Sequence, residues 1–405
     1  MAMVDAPISS HLNAVSAASA PFVRFLMTST WAARRAEGDG CDFVVGNPQE
    51  MPLPAYVDAI RRASVPQDAS WFAYKLNETV PCEAAAASLR ERLGVAYEAE
   101  DIFLTKGASS ALVLAFSTVL EPGDEVVFQS PPWFFYESMI AFARGVPVRA
   151  PVDRATFDLD VDAIAAVITP RTRAVIVNSP NNPTGRIYPP QTLRRLAQVL
   201  TAASEEYGRA IYLISDEAYN RILFDGRRFP SPTAYYPYSF LVYSYAKALL
   251  TPGQRLGYLA LAPSMPDRER MRGAVLAAQY NGFGMPDAVL QHALPELEHL
   301  CIDLDQLQRR RDLLVDALRA QGYEVHAPEG AFYLLPRAPI ADDNAFVEAL
   351  AARDVFVLPG SVVELPGYFR ISLTASDAMV ERSIPAFAAA IAAAGERARP
   401  VGSPR

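Results

Sequence analysis

Lysine, histidine and cysteine are scarce in this chain of 405 residues. Three of the 37 basic residues are lysine, at positions 75, 106 and 247, and the other 34 are arginine. The four histidines belong to no recognisable pattern with serine, cysteine or an acid, so a Ser-His-Asp or Cys-His mechanism has weak support. The three cysteines lie far apart, which indicates a reducing, cytoplasmic location without a disulfide framework. If a lysine acts covalently, the candidates are Lys75, Lys106 and Lys247.

The sequence also lacks the features of several other protein classes. No apolar run reaches the roughly 18 residues that a membrane-spanning helix needs. The N-terminus carries Asp5 and no basic region before an apolar stretch, so no signal peptide is predicted. The net charge is −8 and the arginines are scattered, which argues against a nucleic-acid partner. Neither CxxC nor HExxH spacing occurs, so we predict no metal site.

Short apolar runs alternate with longer amphipathic segments from about residue 100 onward. The strand-like runs are 102–104, 125–129, 174–178, 210–215, 240–244 and 256–261. Helical patterns lie between most of them, for example at 109–120 and 191–204. Strands rich in Val, Ile and Tyr that are flanked by helices predict an α/β fold, with a mostly parallel sheet sandwiched by helices.

The pattern changes in the last third of the chain. Residues 267–321 are predicted to be mainly helical, with an interruption around 281–284, and strands follow at 330–335 and 369–373. We therefore expect a large domain over 46–275 and a smaller α+β domain formed by 1–45 together with 276–405. The polar end at 395–405 is predicted to be a loose tail.

Chemically distinctive residues follow four of the predicted strands. The segment Asn178–Gly185, with the sequence NSPNNPTG, follows one strand, and Asp216, Lys247 and the turn Gly107–Ser110 follow three others. Ligands of such sheets bind at the carboxyl ends of the strands. We therefore expect these residues to surround one site.

With these residues the chain resembles the fold-type-I pyridoxal 5′-phosphate (PLP) enzymes of the class I/II aminotransferase family. The resemblance covers roughly residues 40 to 375. The motifs that carry it occur in family order, and they are NNPTG at 181–185, SDEAY at 215–219, SYAK at 244–247 with RLG at 255–257, PEGAFY at 328–333 and FRIS at 369–372. The resemblance implies a transferase with PLP as cofactor, which moves an amino group from an amino acid to a 2-oxo acid.

The resemblance also implies roles for residues near the cofactor ring. Lys247 would hold PLP as an imine and, when freed, carry the proton between the substrate Cα and the cofactor C4′. Asp216 would pair with the protonated pyridine nitrogen, which makes the ring an electron sink. Tyr219 and Asn182 would reach the phenolic oxygen. Trp133 resembles the aromatic residue that stacks on the ring, although core packing is an equally ordinary role for it.

Other family positions concern the phosphate and the neighbouring subunit. Ala108 and Ser109 lie at a helix start, where free N–H groups favour a dianion, and Ser244 and Arg255 add further donors. Tyr74 resembles the tyrosine that reaches the phosphate of the other subunit, which implies a homodimer with shared active sites. The sequence departs from the family here, because the glycine usual a few residues later is missing from 75–81.

Three residues are candidates for binding the substrate carboxylate. Arg370 resembles the family arginine that grips the α-carboxylate, since a planar guanidinium matches a carboxylate bidentately. Asn182 is expected to contact the substrate as well. Gly46 resembles the glycine whose backbone meets that carboxylate, and a plain turn before Pro48 is the competing interpretation.

Alternative functions stay open on the sequence alone. A PLP-dependent lyase or oxidase could use the same residues, because fold and cofactor do not determine the reaction type. A PLP-sensing transcription regulator is disfavoured, since about 45 weakly basic residues precede Gly46. A dinucleotide-binding domain is disfavoured too, because no GxGxxG follows the first strand.

The side chain of the preferred amino donor is predicted to be neutral or apolar. In bacterial family members that prefer acidic substrates, a lysine two residues after the glycine of the phosphate turn can hold the distal carboxylate. This sequence has Ser109 there, and a short neutral hydroxyl cannot replace an ion pair. We also expect the aromatic residues Phe22, Phe25 and Trp31 to line the pocket.

Overall fold

The structure, a computed structural model, describes residues 8–397. Within that range no helix has the length and apolar character of a membrane span. The strands are β1 (Cys41–Asp42), β2 (Ile102–Thr105), β3 (Glu125–Ser130), β4 (Val146–Pro151), β5 (Thr172–Asn178), β6 (Tyr212–Asp216), β7 (Ser239–Ser244), β8 (Gly257–Leu261), β9 (Tyr333–Leu334), β10 (Val355–Phe356), β11 (Leu358–Pro359) and β12 (Phe369–Ser372).

The helices alternate with these strands along most of the chain. They are α1 (Ser10–Thr28), α2 (Thr30–Arg34), α3 (Pro54–Ala63), α4 (Thr79–Leu93), α5 (Ala108–Val119), α6 (Tyr136–Phe142), α7 (Val161–Val167), α8 (Pro190–Tyr207), α9 (Tyr245–Ala248), α10 (Arg268–Ala278), α11 (Ala288–Leu297), α12 (Leu304–Ala320), α13 (Asp343–Ala351) and α14 (Asp377–Arg397). A π-helical turn over Gln279–Phe283 follows α10, close to the interruption predicted at 281–284.

Seven strands form the central sheet, in the spatial order β2-β8-β7-β6-β5-β3-β4. The pairs from β7 through β6, β5 and β3 to β4 are parallel, and β8 is antiparallel to both of its neighbours. The prediction of a mostly parallel sheet is confirmed. The sequence analysis missed β4, which carries two prolines. It lies at the edge of the sheet beside β3, where a strand tolerates proline.

Helices cover both faces of this sheet. Along β5, Ala174 and Ile176 pack with α5, whereas Val175 and Val177 pack with α7 and α8. Successive side chains of a strand point to opposite faces, so a strand that is buried on both faces is apolar throughout. Because helices cover the two faces, the carboxyl ends of the strands are where a ligand can approach the sheet.

The last third of the chain forms a smaller α+β region. The sheet β11-β12-β9 is antiparallel, and β1 pairs in parallel with β10. The strand expected at 330–335 is limited to Tyr333–Leu334. Helix α14 continues to Arg397, so the loose tail predicted from residue 395 is wrong for its first three positions. The alanine-rich run before Gly395 favours the helix strongly enough to include the glycine. The rest of the predicted tail lies outside the described residues.

Helix α1 lies against α6, with the rings of Phe22 and Phe134 stacked at 3.7 Å. Helix α2, which follows it, contacts α13 in the smaller region. The division into a domain over 46–275 and a second one formed by 1–45 with 276–405 stays a prediction.

Candidate active site

A cleft of about 500 Å³ opens at the carboxyl ends of the central strands. Nine of the residues predicted to bind the cofactor line it, namely Ala108, Ser109, Trp133, Asn182, Asp216, Tyr219, Ser244, Lys247 and Arg255. The remaining wall is formed by Asn178, Ala218, Ala246 and Pro252. The clustering predicted from the strand ends is therefore present.

Asp216 ends β6 at the floor of the cleft and is almost fully buried. The Tyr136 hydroxyl donates to its Oδ2 at 2.6 Å, and the Ala218 amide donates to its Oδ1 at 3.3 Å. Burial raises the pKa of Asp216, while the bond from Tyr136 and the charge of Lys247 act in the opposite direction. Among residues 8–395, no lysine or arginine forms an ion pair with this carboxylate. A buried carboxylate of this kind fits a cationic ring nitrogen placed beside it.

Lys247 lies in the short helix α9, directly after β7. Its Nζ is 5.6 Å from the centre of the Tyr219 ring and 5.9 Å from that of Phe332. The other two lysines lie elsewhere, since the Nζ of Lys75 contacts the Ser70 carbonyl at 3.4 Å and Lys106 lies beside Gly284. Lys247 is therefore the lysine whose amine reaches the cleft.

One end of the cleft has the donors expected of a phosphate site. Helix α5 begins at Ala108, directly after Gly107, whose φ of +83° suits glycine. A Cβ at Gly107 would lie 2.7 Å from Nη2 of Arg255, so the guanidinium packs on the turn itself. Arg255 also donates to the Pro252 carbonyl at 2.7 Å, which holds its orientation. The free N–H groups of the helix start and this guanidinium together fit a dianion.

Arg370 lies on β12 and is 1% exposed. It donates through Nη1 to Oδ1 of Asn182 at 2.8 Å and through Nη2 to the Val44 carbonyl at 2.9 Å, while its buried Nε has no acceptor. Its Cζ lies 4.2 Å from the centre of the Tyr333 ring. Burial lowers the pKa of Arg370, but an arginine stays protonated in proteins. A buried guanidinium without a carboxylate partner fits an acid group of a ligand.

Gly46 lies against Tyr333, as Arg370 does. A Cβ there would lie 2.7 Å from the Phe332 ring and 2.9 Å from the Tyr333 hydroxyl. Only glycine lets the backbone approach these side chains so closely. Of the three residues predicted to bind the substrate, Asn182 lines the cleft; Arg370 is hydrogen-bonded to it from behind, and Gly46 and Arg370 both lie against Tyr333.

The sequence left two roles open for Trp133, stacking on a cofactor ring and packing in the core, and its position is compatible with both. It lines the cleft, and its ring also meets Tyr136 edge-on at 5.5 Å beside the core under α5 and α6. Tyr74 lies outside the cleft of its own chain with its side chain fully exposed. A residue that serves another copy must be exposed in this way, and its role stays a prediction.

The aromatic residues expected from the N-terminal stretch do not line this cleft. Phe22 and Trp31 are buried in a hydrophobic cluster, and Phe25 packs against it. The packing of α1 on α6 directs Phe22 into the interior, and Trp31 of α2 stacks on Phe25 at 6.1 Å. Phe22 contacts Phe134, whose ring centre lies 5.8 Å from Cζ of Arg370.

Two tyrosines of the site had no predicted role. Tyr136 donates to Asp216, and the Tyr333 hydroxyl lies 3.4 Å from that of Tyr219. Asn178, which was expected at the site as the start of NSPNNPTG, donates through Nδ2 to the Asp216 carbonyl at 3.0 Å. Tyr136 and Tyr333 follow other aromatic residues, and such a sequence gives no local sign of a polar role for the hydroxyl.

Comparison with known proteins agrees with this geometry. Residues 39–387 match the family model described as aminotransferase class I and II. The chain is 32% identical over 366 residues to an aspartate/prephenate aminotransferase of Thermus thermophilus, across 88% of this chain and 92% of the relative. It is 33% identical over 322 residues to an aspartate aminotransferase of Rhizobium meliloti, across 73% and 76% of the two chains.

Solved structures give the same result. The crystal structure of an amino transferase from Eubacterium rectale has a TM-score of 0.85 and 28% identity, and the match covers 97% of this chain and 99% of that one. The aspartate aminotransferase of Thermus thermophilus with maleate has a TM-score of 0.79 and 29% identity, over 95% and 100% of the chains.

Proposed function

The chain belongs to the class I and II aminotransferase family and is a PLP-dependent aminotransferase of fold type I, and we propose that its active site is the cleft around Lys247 and Asp216. The observation that carries this proposal is one cleft that contains both a primary amine and a buried carboxylate without an ion-pair partner among the described side chains. The amine suits a covalent link to an aldehyde, and the carboxylate suits a protonated ring nitrogen.

When bound, PLP supplies an electron sink for the negative charge that develops on the substrate Cα. Asp216 would keep the ring nitrogen protonated through charge pairing. Tyr219 and Asn182 would donate hydrogen bonds to the phenolic oxygen, and Trp133 would pack against the ring. Lys247 would carry the proton from the substrate Cα to the cofactor C4′, as general base and then general acid. These roles rest on the positions of the side chains around the cleft.

The phosphate and the substrate carboxylate occupy opposite ends of the site in this proposal. Backbone amides of Ala108 and Ser109, the hydroxyl of Ser244 and the guanidinium of Arg255 hold the phosphate. Arg370, which donates to Asn182 of the cleft wall, would take the α-carboxylate of amino acids and 2-oxo acids. The Asn182 amide and the backbone of Gly46 complete that end.

We further propose that the preferred amino donor has a neutral or apolar side chain. Relatives of this chain are named for aspartate, so an acidic donor is the competing candidate. Within the described part of the chain, Lys247 and Arg255 are the basic residues that line the cleft, and both have other roles. Ser109 offers a hydroxyl where a lysine would be needed for a distal carboxylate. The Phe134 ring, whose centre lies 5.8 Å from Cζ of Arg370, favours an apolar substrate side chain.

The active enzyme is proposed to be a cytoplasmic homodimer with shared active sites. The segment 51–80 exposes the large side chains of Met51, Phe72, Tyr74 and Val80, and this concentration of exposed apolar groups supports an interface. Tyr74 would then reach the phosphate of the second copy. Light scattering at assay concentration should give a dimer, and an active monomer would contradict the shared site. The cytoplasmic location is supported by the three cysteines, none of which is in a disulfide.

The covalent anchor and the donor can be tested on the same holoenzyme. Borohydride reduction followed by peptide mapping should label Lys247, and label on Lys75 or Lys106 instead would overturn the assignment. Aspartate, glutamate, methionine, leucine and phenylalanine are then compared as donors, by the conversion of the cofactor from its aldehyde to its amine form. An acidic donor with a specificity constant about tenfold above the others, which equals about 1.4 kcal/mol, would refute the proposed preference.

A further inference from the structure

Helix α9, which carries Lys247, is a single turn that depends on contacts with a distant part of the chain. One helical turn is not stable by itself in water. The segment between α11 and α12 contacts both ends of this turn. Glu298 at the start of the segment accepts a hydrogen bond from the Tyr245 hydroxyl, and the amide of Ile302 donates to the Ala248 carbonyl at 2.8 Å. Lys247 lies between these two points of attachment.

Glu298 also holds the turn that follows β6. Its second carboxylate oxygen forms an ion pair with Arg221, and its backbone carbonyl accepts a hydrogen bond from Nη1 of Arg221 at 2.8 Å. Arg221 follows Tyr219 by two positions, in the turn that begins directly after Asp216. One carboxylate therefore joins α9 to the turn that presents Asp216 and Tyr219 to the cleft.

This junction is buried and charged. The side chains of Glu298 and Arg221 are 1% and 8% exposed. The rings of Tyr243 and Tyr245 lie 4.9 and 5.5 Å from Cζ of Arg221 and cover the guanidinium. Burial and the charge of Glu298 raise the pKa of Tyr245 well above its ordinary value, so the hydroxyl keeps its proton and stays a donor. Hydrogen bonds to a buried carboxylate are among the stronger contacts in a protein.

We propose that Glu298 is a positioning residue for Lys247, which holds α9 against the turn after β6 and so sets the place of the amine relative to Asp216. The inference rests on the proposed role of Lys247 in the cleft. Glu298 lies outside the cleft and acts through Tyr245. A displacement of about 1 Å can slow a reaction by about a hundredfold, so release of α9 should slow each step that uses the Lys247 amine.

The first test follows the attachment of PLP to the apoenzyme. Tyr245→Phe removes the hydroxyl that bonds to Glu298 and keeps the ring that covers Arg221. Tyr243→Phe is the matched control, because Tyr243 is equally buried over the same guanidinium and its hydroxyl has no hydrogen-bond partner in the part of the chain that the structure describes. After mixing with PLP, the visible band should grow about tenfold more slowly in Tyr245→Phe than in Tyr243→Phe and the unaltered enzyme.

The second test measures turnover with the best of the five donors compared above. In Tyr245→Phe kcat should fall about tenfold and KM should change less than about twofold, because Lys247 acts in proton transfer and not in carboxylate binding. Lower stability alone would leave kcat per folded active site unchanged, and urea titration gives the folded fraction. Glu298→Asp repeats the test from the other side, since its shorter carboxylate cannot bond to both partners, and it should reproduce the slow attachment and the low kcat.

The two levels of the argument fail separately. If borohydride labels a residue other than Lys247 in the unaltered enzyme, the proposed active site is wrong and this inference is lost with it. If Lys247 is labelled but Tyr245→Phe attaches PLP and turns over as Tyr243→Phe does, the proposed active site stands and the positioning role of Glu298 is overturned.

Discussion

Removal of one hydroxyl, in Tyr136→Phe, would test how the protein controls Asp216. Tyr136 is fully buried, and its ring packs against Phe128 at 6.1 Å and Trp133 at 5.5 Å. Phenylalanine keeps these contacts, so the variant removes the 2.6 Å hydrogen bond to Oδ2 of Asp216 and little else. Tyr136 acts through Asp216, which makes it a positioning residue.

The size of the effect follows from the charge on the acceptor. A hydrogen bond to a charged group contributes about 1.5–3 kcal/mol, and about 1.4 kcal/mol corresponds to one pKa unit. The Asp216 pKa, which burial already raises, should therefore rise further in the variant. A protonated Asp216 cannot pair with the ring nitrogen. The loss of one such bond should increase the PLP dissociation constant by about tenfold at most, and the increase should be larger at lower pH, where more of the carboxylate is protonated.

The assay is a spectroscopic titration of the apoenzyme with PLP at several pH values. Tyr258→Phe is the control, because Tyr258 is equally buried and its hydroxyl has no hydrogen-bond partner. A merely structural role for Tyr136 would weaken PLP binding to the same extent at every pH. If Tyr136→Phe has the PLP affinity and pH profile of Tyr258→Phe, the hydroxyl does not control Asp216 and the reasoning is refuted.

Three further predictions concern other groups. Lys247→Ala should abolish turnover and the pH-sensitive visible band of the holoenzyme, and turnover near the normal rate would remove this lysine from the mechanism. Arg370→Lys should lower kcat/KM for amino acids about ten- to a hundredfold, through loss of paired charge-assisted hydrogen bonds; an unchanged value would place the carboxylate elsewhere. Burial raises the pKa of Glu217 to about 7, so the folded state holds a proton that the unfolded state has released above about pH 5. The free energy of unfolding should therefore fall by on the order of 2–3 kcal/mol as the pH rises from about 5 to about 7, and Glu217→Gln should remove most of that slope in urea titrations. A slope equal to that of the unaltered protein would show that other groups cause it.

Local sequence patterns were sufficient for the layer of strands and helices and for the residues at the strand ends. Lys247 could be chosen among three lysines because SYAK, with Arg255 eight residues later, resembles the family motif and follows an apolar strand. The positions of Asp216 and Asn182 followed from the same rule, since parallel strands end at one edge of a sheet. These features depend on residues close together in the chain. Apolar periodicity, helix propensity and turn residues act over that range.

Contacts between distant residues were decided only by the tertiary structure. The hydrogen bond from Tyr136 to Asp216 spans 80 positions, and that from Arg370 to Asn182 spans 188. The packing of α1 on α6 turned Phe22 into the interior, against expectation. An aromatic run or an arginine has the same local pattern whether it faces a core, a ligand or solvent. Its partner is determined by the way helices and sheets pack, and Asp216 is not buried until that packing is complete.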